Sequence, residues 1–288
     1  MTSAVRLLPV GEPLFKYHGL GNDFVILDRR ESGRDLGPEA SVRLCDRRRG
    51  IGADGVLALL PYEGAWARMV VHNADGSIAE MCGNGLRCAV KYLLDHAVDK
   101  PHRIPVMTGA GLLWCDADYV DGEVQQVEIS MGPARLISPN LPTCEGPFVH
   151  REVPGFSGVI GTAVSMGNPH LVLFDRPLAE AATLGPRLEV HPGFPHRTNV
   201  EFVQQTGDSL DVVVWERGCG LTQACGTGAC ATVAAGVYEG RLPADMWIPV
   251  TLPGGPLAIH VAADLSEVRM RGPATFVFEG TLPLSGDL

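Results

Sequence analysis

Two cysteines of this chain stand in one recurring context. CysGlyAsnGlyLeuArgCys begins at Cys82 and CysGlyThrGlyAlaCys at Cys225, and the two cysteines are 143 positions apart in a chain of 288 residues. Each precedes a Gly-x-Gly turn that opens a run with helical spacing of apolar residues, so each sulfur is expected at a helix N-terminus. The first N–H groups of a helix lack intrahelical acceptors, and the dipole there is positive. Such an end attracts carboxylate or phosphate and favours thiolate over thiol. Glycines at 83, 85, 226 and 228 let the backbone come close to a ligand. A thiol whose ordinary pKa is ~8.5 can be tuned toward neutrality and suits general acid–base work. If the two ends meet about one anionic group, a thiolate takes a proton from one face of a carbon and the partner thiol returns one to the other. The outcome is inversion. A carbon acid α to a carboxylate is very weak, so its carbanion needs concentrated electrostatic stabilisation. Two cysteine bases make pyridoxal unnecessary, and the only lysines are Lys16, Lys91 and Lys100. No cofactor and no metal are expected.

The elements that must hold these sulfurs are themselves duplicated. GlyLeuGlyAsnAspPheValIleLeuAsp (19–28) resembles SerMetGlyAsnProHisLeuValLeuPheAsp (165–175). The strand ending at His72 precedes AsnAlaAspGly as the strand ending at Trp215 precedes GluArgGlyCysGly, and GlyProAla recurs at 132–134 and 272–274. Two pseudo-symmetric halves follow, related by an approximate two-fold axis with the site between them. The expected fold class is α+β, each half a curved, mostly antiparallel sheet wrapped on a central helix. The expected division is 1–131 plus 272–288, carrying Cys82, and 132–271, carrying Cys225. Short β-branched runs bounded by turn residues predict strands at 24–27, 55–60, 69–72, 124–129, 171–174, 211–215 and 257–261. Helices are predicted over 84–95 and 227–238, with a weaker one over 39–49. The strand at 275–279 is expected to return to the first half.

A formal charge of −10 argues against a nucleic-acid partner. No apolar run approaches the ~18 residues of a membrane span, and the N-terminus lacks a signal-peptide pattern. A cytoplasmic location is expected, with a small-molecule amino-acid substrate and, as the oligomeric state to consider, a homodimer. The eight cysteines then read as thiols rather than a disulfide framework. Cys45, Cys115 and Cys144 read as inert packing residues, as do Cys88 and Cys230 inside the helices.

With these motifs in hand, the sequence resembles the diaminopimelate epimerase family over nearly its whole length, from about Lys16 to Gly280. The resemblance is carried by HisGlyLeuGlyAsnAspPhe (18–24), AsnAlaAspGlySer (73–77), CysGlyAsnGlyLeuArgCys (82–88), MetGlyAsnProHis (166–170), GluArgGly (216–218) and ThrGlnAlaCysGlyThrGlyAla (222–229). It implies a cofactor-free interconversion of LL- and meso-diaminopimelate serving lysine and peptidoglycan synthesis, with Cys82 and Cys225 as the two bases. By the same resemblance the amides of Gly83, Asn84, Gly226 and Thr227 hold the carboxylate at the reacting centre. Asn22, Asn73, Asn168, Asn199, Glu216 and Arg217 read the distal amino-acid end, and His170 and Glu216 assist near the reacting centre. Arg217 offers a planar fork to a carboxylate, and Glu216 can accept from an ammonium. Gly55 and Leu221 depart from the family pattern, standing where some members carry a Gln and where many carry a Glu.

Two other readings compete. A proline racemase-like enzyme would use the same two-thiol logic, but the Asn in CysGlyAsnGly and the GluArgGly segment favour diaminopimelate. A cysteine-based metal or redox protein is disfavoured because the cysteine spacings are wider than the C-x₂₋₄-C pairs of zinc sites. The asparagines at 22, 73 and 168 adjoin glycine or proline, so a turn role stands beside the binding one.

Overall fold

A computed structural model describes residues 11–142 and 146–283. In chain order its elements begin with strands β1 (Gly11–Gly19) and β2 (Asn22–Asp28), helix α1 (Pro38–Cys45), and strands β3 (Gly55–Leu60), β4 (Arg68–Asn73) and β5 (Ile78–Ala79). Helix α2 (Gly83–Asp95) and strands β6 (Arg103–Thr108), β7 (Gly111–Val120), β8 (Glu123–Gly132) and β9 (Arg151–Glu152) follow. Then come β10 (Ile160–Ser165), β11 (Pro169–Phe174), α3 (Ala181–Glu189), β12 (Asn199–Thr206), β13 (Ser209–Glu216), β14 (Gly220–Leu221) and α4 (Gly226–Tyr238). Strands β15 (Trp247–Leu252), β16 (Gly255–Val261), β17 (Val268–Gly272) and β18 (Thr275–Pro283) complete the chain. The fold is α+β, as the strand-rich pattern with two dominant helices requires. No described helix is long and apolar enough to cross a membrane.

The described chain divides into two compact units, residues 11–18, 23–113 and 274–283, and residues 19–22 and 114–273. In the first, β2 and β3 run parallel with Phe24 opposite Gly55, and β4 returns antiparallel to β3. All six residues of β3 are buried, which is why its sequence is a continuous apolar run rather than an alternation. Helix α1 packs Ala40, Leu44 and Cys45 against Val25, Leu27 and Val56. Each leucine or valine so buried contributes roughly 1.5–3 kcal/mol. Strand β18 pairs antiparallel with β1, so the terminal strand joins the first unit as expected.

The second unit repeats this plan. Strands β11 and β12 run parallel with His170 opposite Asn199, and β13 returns antiparallel to β12. Helix α3 takes the place that α1 holds between the paired strands, and α4 the place of α2. Helix α4 buries ten of its thirteen residues, the outcome demanded by a helix that is small and apolar on nearly every side.

Three differences from the sequence reading have physical causes. The unit boundary falls at 113/114 rather than 131/132, because residues 127–132 of β8 pair with β17 and β7 pairs with β8. These pairings draw residues 114–131 into the second unit. Residues 19–22 also group there, since the Leu20 carbonyl lies so close to Gly254 that an added Cβ would sit 1.9 Å from it. Helix α3 lies outside the helices predicted from the sequence, and it carries glycine and proline, the two poorest helix formers, at 185 and 186. The glycine is needed where the helix crosses Trp215, whose Cβ would stand 2.6 Å from a methyl at 185. Helix α1 ends at Cys45 rather than reaching 49, since the Asp46 carboxylate accepts from the N–H groups of Arg48 and Arg49 and turns the chain. Cys144 lies outside the described residues.

Candidate active site

Cys82 and Cys225 are the N-cap residues of α2 and α4, both in extended backbone conformation. The sequence Cys-Gly-x-Gly thus produces the same local structure twice: a cysteine outside the first turn and glycines within it. Cys82 is half-buried, and its sulfur accepts from the Gly85 N–H at 3.4 Å. Cys225 is buried, with its sulfur 3.6 Å from Thr227 Oγ1. Burial pushes the Cys225 thiol well above its ordinary range, and the charges of Glu216 and Glu201 push it further. The Thr227 hydroxyl and Gly228 N–H pull the other way without compensating. A helix N-terminus was expected to bring this thiol toward neutrality, but desolvation and two carboxylates outweigh it. Cys45 and Cys88 are buried and raised to about 11 and about 12 by desolvation, as packing thiols are. Cys115 and Cys230 are buried and Cys219 is exposed.

In the second unit the residues singled out by sequence lie in several hydrogen-bonded groups. His170 is fully buried; its Nδ1 lies 2.7 Å from Glu201 Oε1 and its Nε2 3.0 Å from Asn168 Oδ1. Asn168 Nδ2 donates to Thr227 Oγ1 at 3.3 Å. Asn199 is buried, donating from Nδ2 to the Pro169 carbonyl and accepting at Oδ1 from the Arg217 backbone N–H. Its side chain therefore ties the start of β12 to the start of β11 and to the residue after β13. Glu216 accepts from the Thr222 hydroxyl, and the exposed Arg217 guanidinium donates to the His196 carbonyl.

The segment 215–218 hangs on Glu189 at the end of α3. Its carboxylate accepts from Trp215 Nε1 at 2.8 Å, from the Gly218 N–H at 3.0 Å and from Arg197 at 3.4 Å. Neither Glu189 nor Glu201 was singled out by sequence. The signal for Glu201 was present: a lone carboxylate in the run AsnValGluPheVal (199–203), where the equivalent strand of the first half is apolar throughout.

In the first unit Asn84 is buried in the first turn of α2, and its Oδ1 accepts from the buried Arg87 guanidinium at 3.0 Å. Asn73 closes the turn after β4, its Nδ2 donating to Ser77 Oγ at 2.9 Å, so the turn role is real at this position. Asn22, counted with the second unit, opens β2. Gly83 and Gly226 are the first residues of their helices and are buried. Gly55 is a packing requirement here, since a Cβ would lie 2.8 Å from the His72 carbonyl oxygen. Leu221 is half exposed on β14. Among the described residues no group of three or more His, Cys, Asp or Glu is arranged to hold a metal.

The fold is shared with solved structures of low sequence identity. A phenazine biosynthesis protein of the PhzF family from Bacillus anthracis superposes with a TM-score of 0.71 at 17% identity, covering 94% of this chain and 98% of its own. A probable proline racemase from Agrobacterium radiobacter K84 does so with a TM-score of 0.69 at 17% identity, covering 95% and 93%. These likenesses show that the α+β fold of the chain is shared with both proteins. The narrower assignment comes from sequence. Residues 14–137 and 162–277 match the family model for diaminopimelate epimerase. The diaminopimelate epimerase of Heliobacterium modesticaldum is 45% identical over 279 residues, 93% of this chain and 99% of the relative. The chain belongs to the diaminopimelate epimerase family, and it is an isomerase.

Proposed function

We propose that the chain interconverts LL- and meso-diaminopimelate by two-base proton transfer at one α-carbon, with Cys82 and Cys225 as the bases. The observation that carries this reading is that both cysteines cap helices opened by Gly-x-Gly in equivalent frames. A thiol in such a frame stands beside N–H groups able to bind the substrate carboxylate. The amides of Gly83, Asn84, Gly226 and Thr227 take that role. They stabilise the charge that builds on the carboxylate as the α-proton leaves.

Cys225 rests as the thiol, since burial and the neighbouring carboxylates disfavour its anion. It is then the proton donor in one direction, with Cys82 as the thiolate that removes the proton, and the roles exchange in the other. Asn22, Asn73, Asn168, Asn199, Glu216 and Arg217 select the distal amino-acid end, and His170 and Glu216 support the reacting centre. Because Asn199 Oδ1 is already engaged by the Arg217 N–H, that residue acts in part by holding Arg217 in place. Polar groups of this kind discriminate strongly against analogues that leave them unpaired. Lysine and peptidoglycan precursor synthesis consumes the product. Chemistry that depends on reduced thiols is consistent with a cytoplasmic location.

The test is Cys82→Ala and Cys225→Ala, each assayed for epimerisation and for deuterium uptake from solvent at the α-carbon. Each variant is expected to lose about 10²–10⁴-fold in turnover while keeping its fold. Substantial turnover by either variant, or faster racemisation of proline than of diaminopimelate by the intact enzyme, overturns the reading.

A further inference from the structure

The two halves are alike in backbone but not in the side chains beneath their helix N-termini. Gly85 and Gly228 hold the same place in α2 and α4. A Cβ on Gly85 would stand 3.0 Å from Leu57 Cδ2, and one on Gly228 would stand 2.9 Å from Glu201 Oε1 and 3.2 Å from Cys225 Sγ. Leu57 and Glu201 are the third residues of β3 and β12, the strands paired in parallel with β2 and β11. In the same register Phe24, opposite Gly55, answers to His170, opposite Asn199. The apolar pair Leu57 and Phe24 is thus replaced in the second half by a buried carboxylate and a buried imidazole.

The replacement is connected to Cys225. From Glu201 the path runs 2.7 Å to His170 Nδ1, 3.0 Å from Nε2 to Asn168 Oδ1, 3.3 Å from Nδ2 to Thr227 Oγ1 and 3.6 Å to the sulfur. Both Glu201 and His170 have fully buried side chains, and Glu201 Oε2 has no hydrogen-bond partner among the described residues. A contact of 2.7 Å is the length of a charge-assisted N–H···O bond. Burial pushes the Glu201 carboxyl up and the His170 ring pulls it back, so a single proton is held between Glu201 Oε1 and His170 Nδ1. Asn168 presents its NH₂ to Thr227 and its oxygen to the ring, so Nε2 is the donor in that contact. The Thr227 oxygen then accepts, which leaves its own proton for Cys225.

We propose that Glu201 is a positioning residue which, through His170, Asn168 and Thr227, gives the Cys225 sulfur a directed hydrogen-bond donor when that sulfur is the thiolate. The inference rests on the assignment of Cys225 as one of the two bases. It makes the two thiols inequivalent by construction, since Phe24 and Leu57 cannot form such a path in the first half. The carboxylates whose charges act on Cys225 are Glu216, at the end of β13, and Glu201.

The test is Glu201→Gln, isosteric and uncharged. A glutamine amide can either donate to or accept from Nδ1, so the polarity of the path is no longer imposed. Alkylation of Cys225 and of Cys82 by iodoacetamide is followed over a pH series, with each site read separately by peptide mass spectrometry. Loss of one bond to a charged sulfur raises the Cys225 midpoint by about one pH unit, while removal of the Glu201 charge acts the other way; the proposal requires the lost bond to prevail, so Cys225 alkylation at a fixed pH below the midpoint slows. The Cys82 profile is unchanged. In a Thr227→Val background, which keeps the backbone amide, Glu201→Gln has no further effect; in Thr227→Ser the effect persists. Faster alkylation of Cys225 would mean that Glu201 acts only as a nearby negative charge and would overturn the proposal. An unchanged Cys225 profile, or an equal effect without the Thr227 hydroxyl, would do the same. Because the readout is thiol reactivity, it stays separate from the catalytic assignment, which fails only if Cys225→Ala still turns over substrate.

Discussion

Replacing Glu189 by glutamine separates holding the site from forming it. The carboxylate accepts three N–H donors, Trp215 and Gly218 at 2.8 and 3.0 Å and Arg197 at 3.4 Å. Glutamine keeps the shape but has one acceptor oxygen, so its NH₂ must face either the indole N–H or the Gly218 N–H. One buried donor then meets another donor, and the remaining bonds lose their charge. A hydrogen bond to a charged group contributes about 1.5–3 kcal/mol, and an unsatisfied buried donor costs about as much. The Arg197 contact is long and Arg197 is 61% exposed, so it adds little. The expected loss is therefore about 2–3 kcal/mol, or roughly 3–5 °C in Tm for a protein of this size. Since Trp215, Glu216, Arg217 and Gly218 form one segment, KM for diaminopimelate should rise more than kcat falls. Differential scanning calorimetry and steady-state kinetics read the two effects. Trp215→Phe, which deletes a single donor to the carboxylate, should lose about 1.5–3 kcal/mol. Should Glu189→Gln match the wild type in both Tm and KM, the carboxylate is not what holds the segment.

The same residue sets a pH dependence. Burial pushes Glu189 up, but the bonds from Trp215 and Gly218 and the charge of Arg197 outweigh it and hold its carboxyl below the ordinary range. Its stabilisation is present above the ordinary carboxylate value and is lost as pH falls through the lowered one. Asp23 behaves likewise: burial is outweighed by Arg47 and Lys16, and its carboxyl lies at about 2. Stability measured by urea denaturation should therefore fall as pH drops from the ordinary value of 3.8 toward about 2. Asp23→Asn should remove that part of the slope, and a slope identical in both proteins would exclude the Lys16–Asp23–Arg47 cluster as its source. The two N-terminal glycines should also differ. At Gly228 a methyl would meet Glu201 Oε1 at 2.9 Å and Cys225 Sγ at 3.2 Å, whereas at Gly85 the sulfur would be 3.5 Å away. Overpacking costs about 1–3 kcal/mol, against a gain of about 1 kcal/mol for alanine in a helix. Gly228→Ala should then lose more activity than Gly85→Ala, and equal activities would show that the Glu201–Cys225 packing is not tight.

Much of the site could be read along the chain because its signals are local. A cysteine followed by Gly-x-Gly and an apolar helical pattern specifies an N-cap, a first turn and a buried helix within about twelve residues. That is why α2 and α4 fall within one residue of their predicted starts. The strands at 55–60 and 171–174 were equally legible, since β-branched runs between turn residues have few other conformations open to them. Comparing the two halves in register also exposed the duplication before any packing was known. What local pattern could not supply depends on contacts between distant segments. The parallel register of β11 and β12 carries Glu201 under Gly228, a separation along the chain that no periodicity encodes. Helix α3 forms across a Gly-Pro pair because Trp215 packs on it, a tertiary contact prevailing over weak helix propensity. The pairing of β8 with β17 moves the unit boundary in the same way. The ionisation of Cys225 is likewise non-local: the helix end that favours a thiolate is visible in the sequence, but the desolvation and the two carboxylates that oppose it exist only once β12 and β13 have closed over the sulfur.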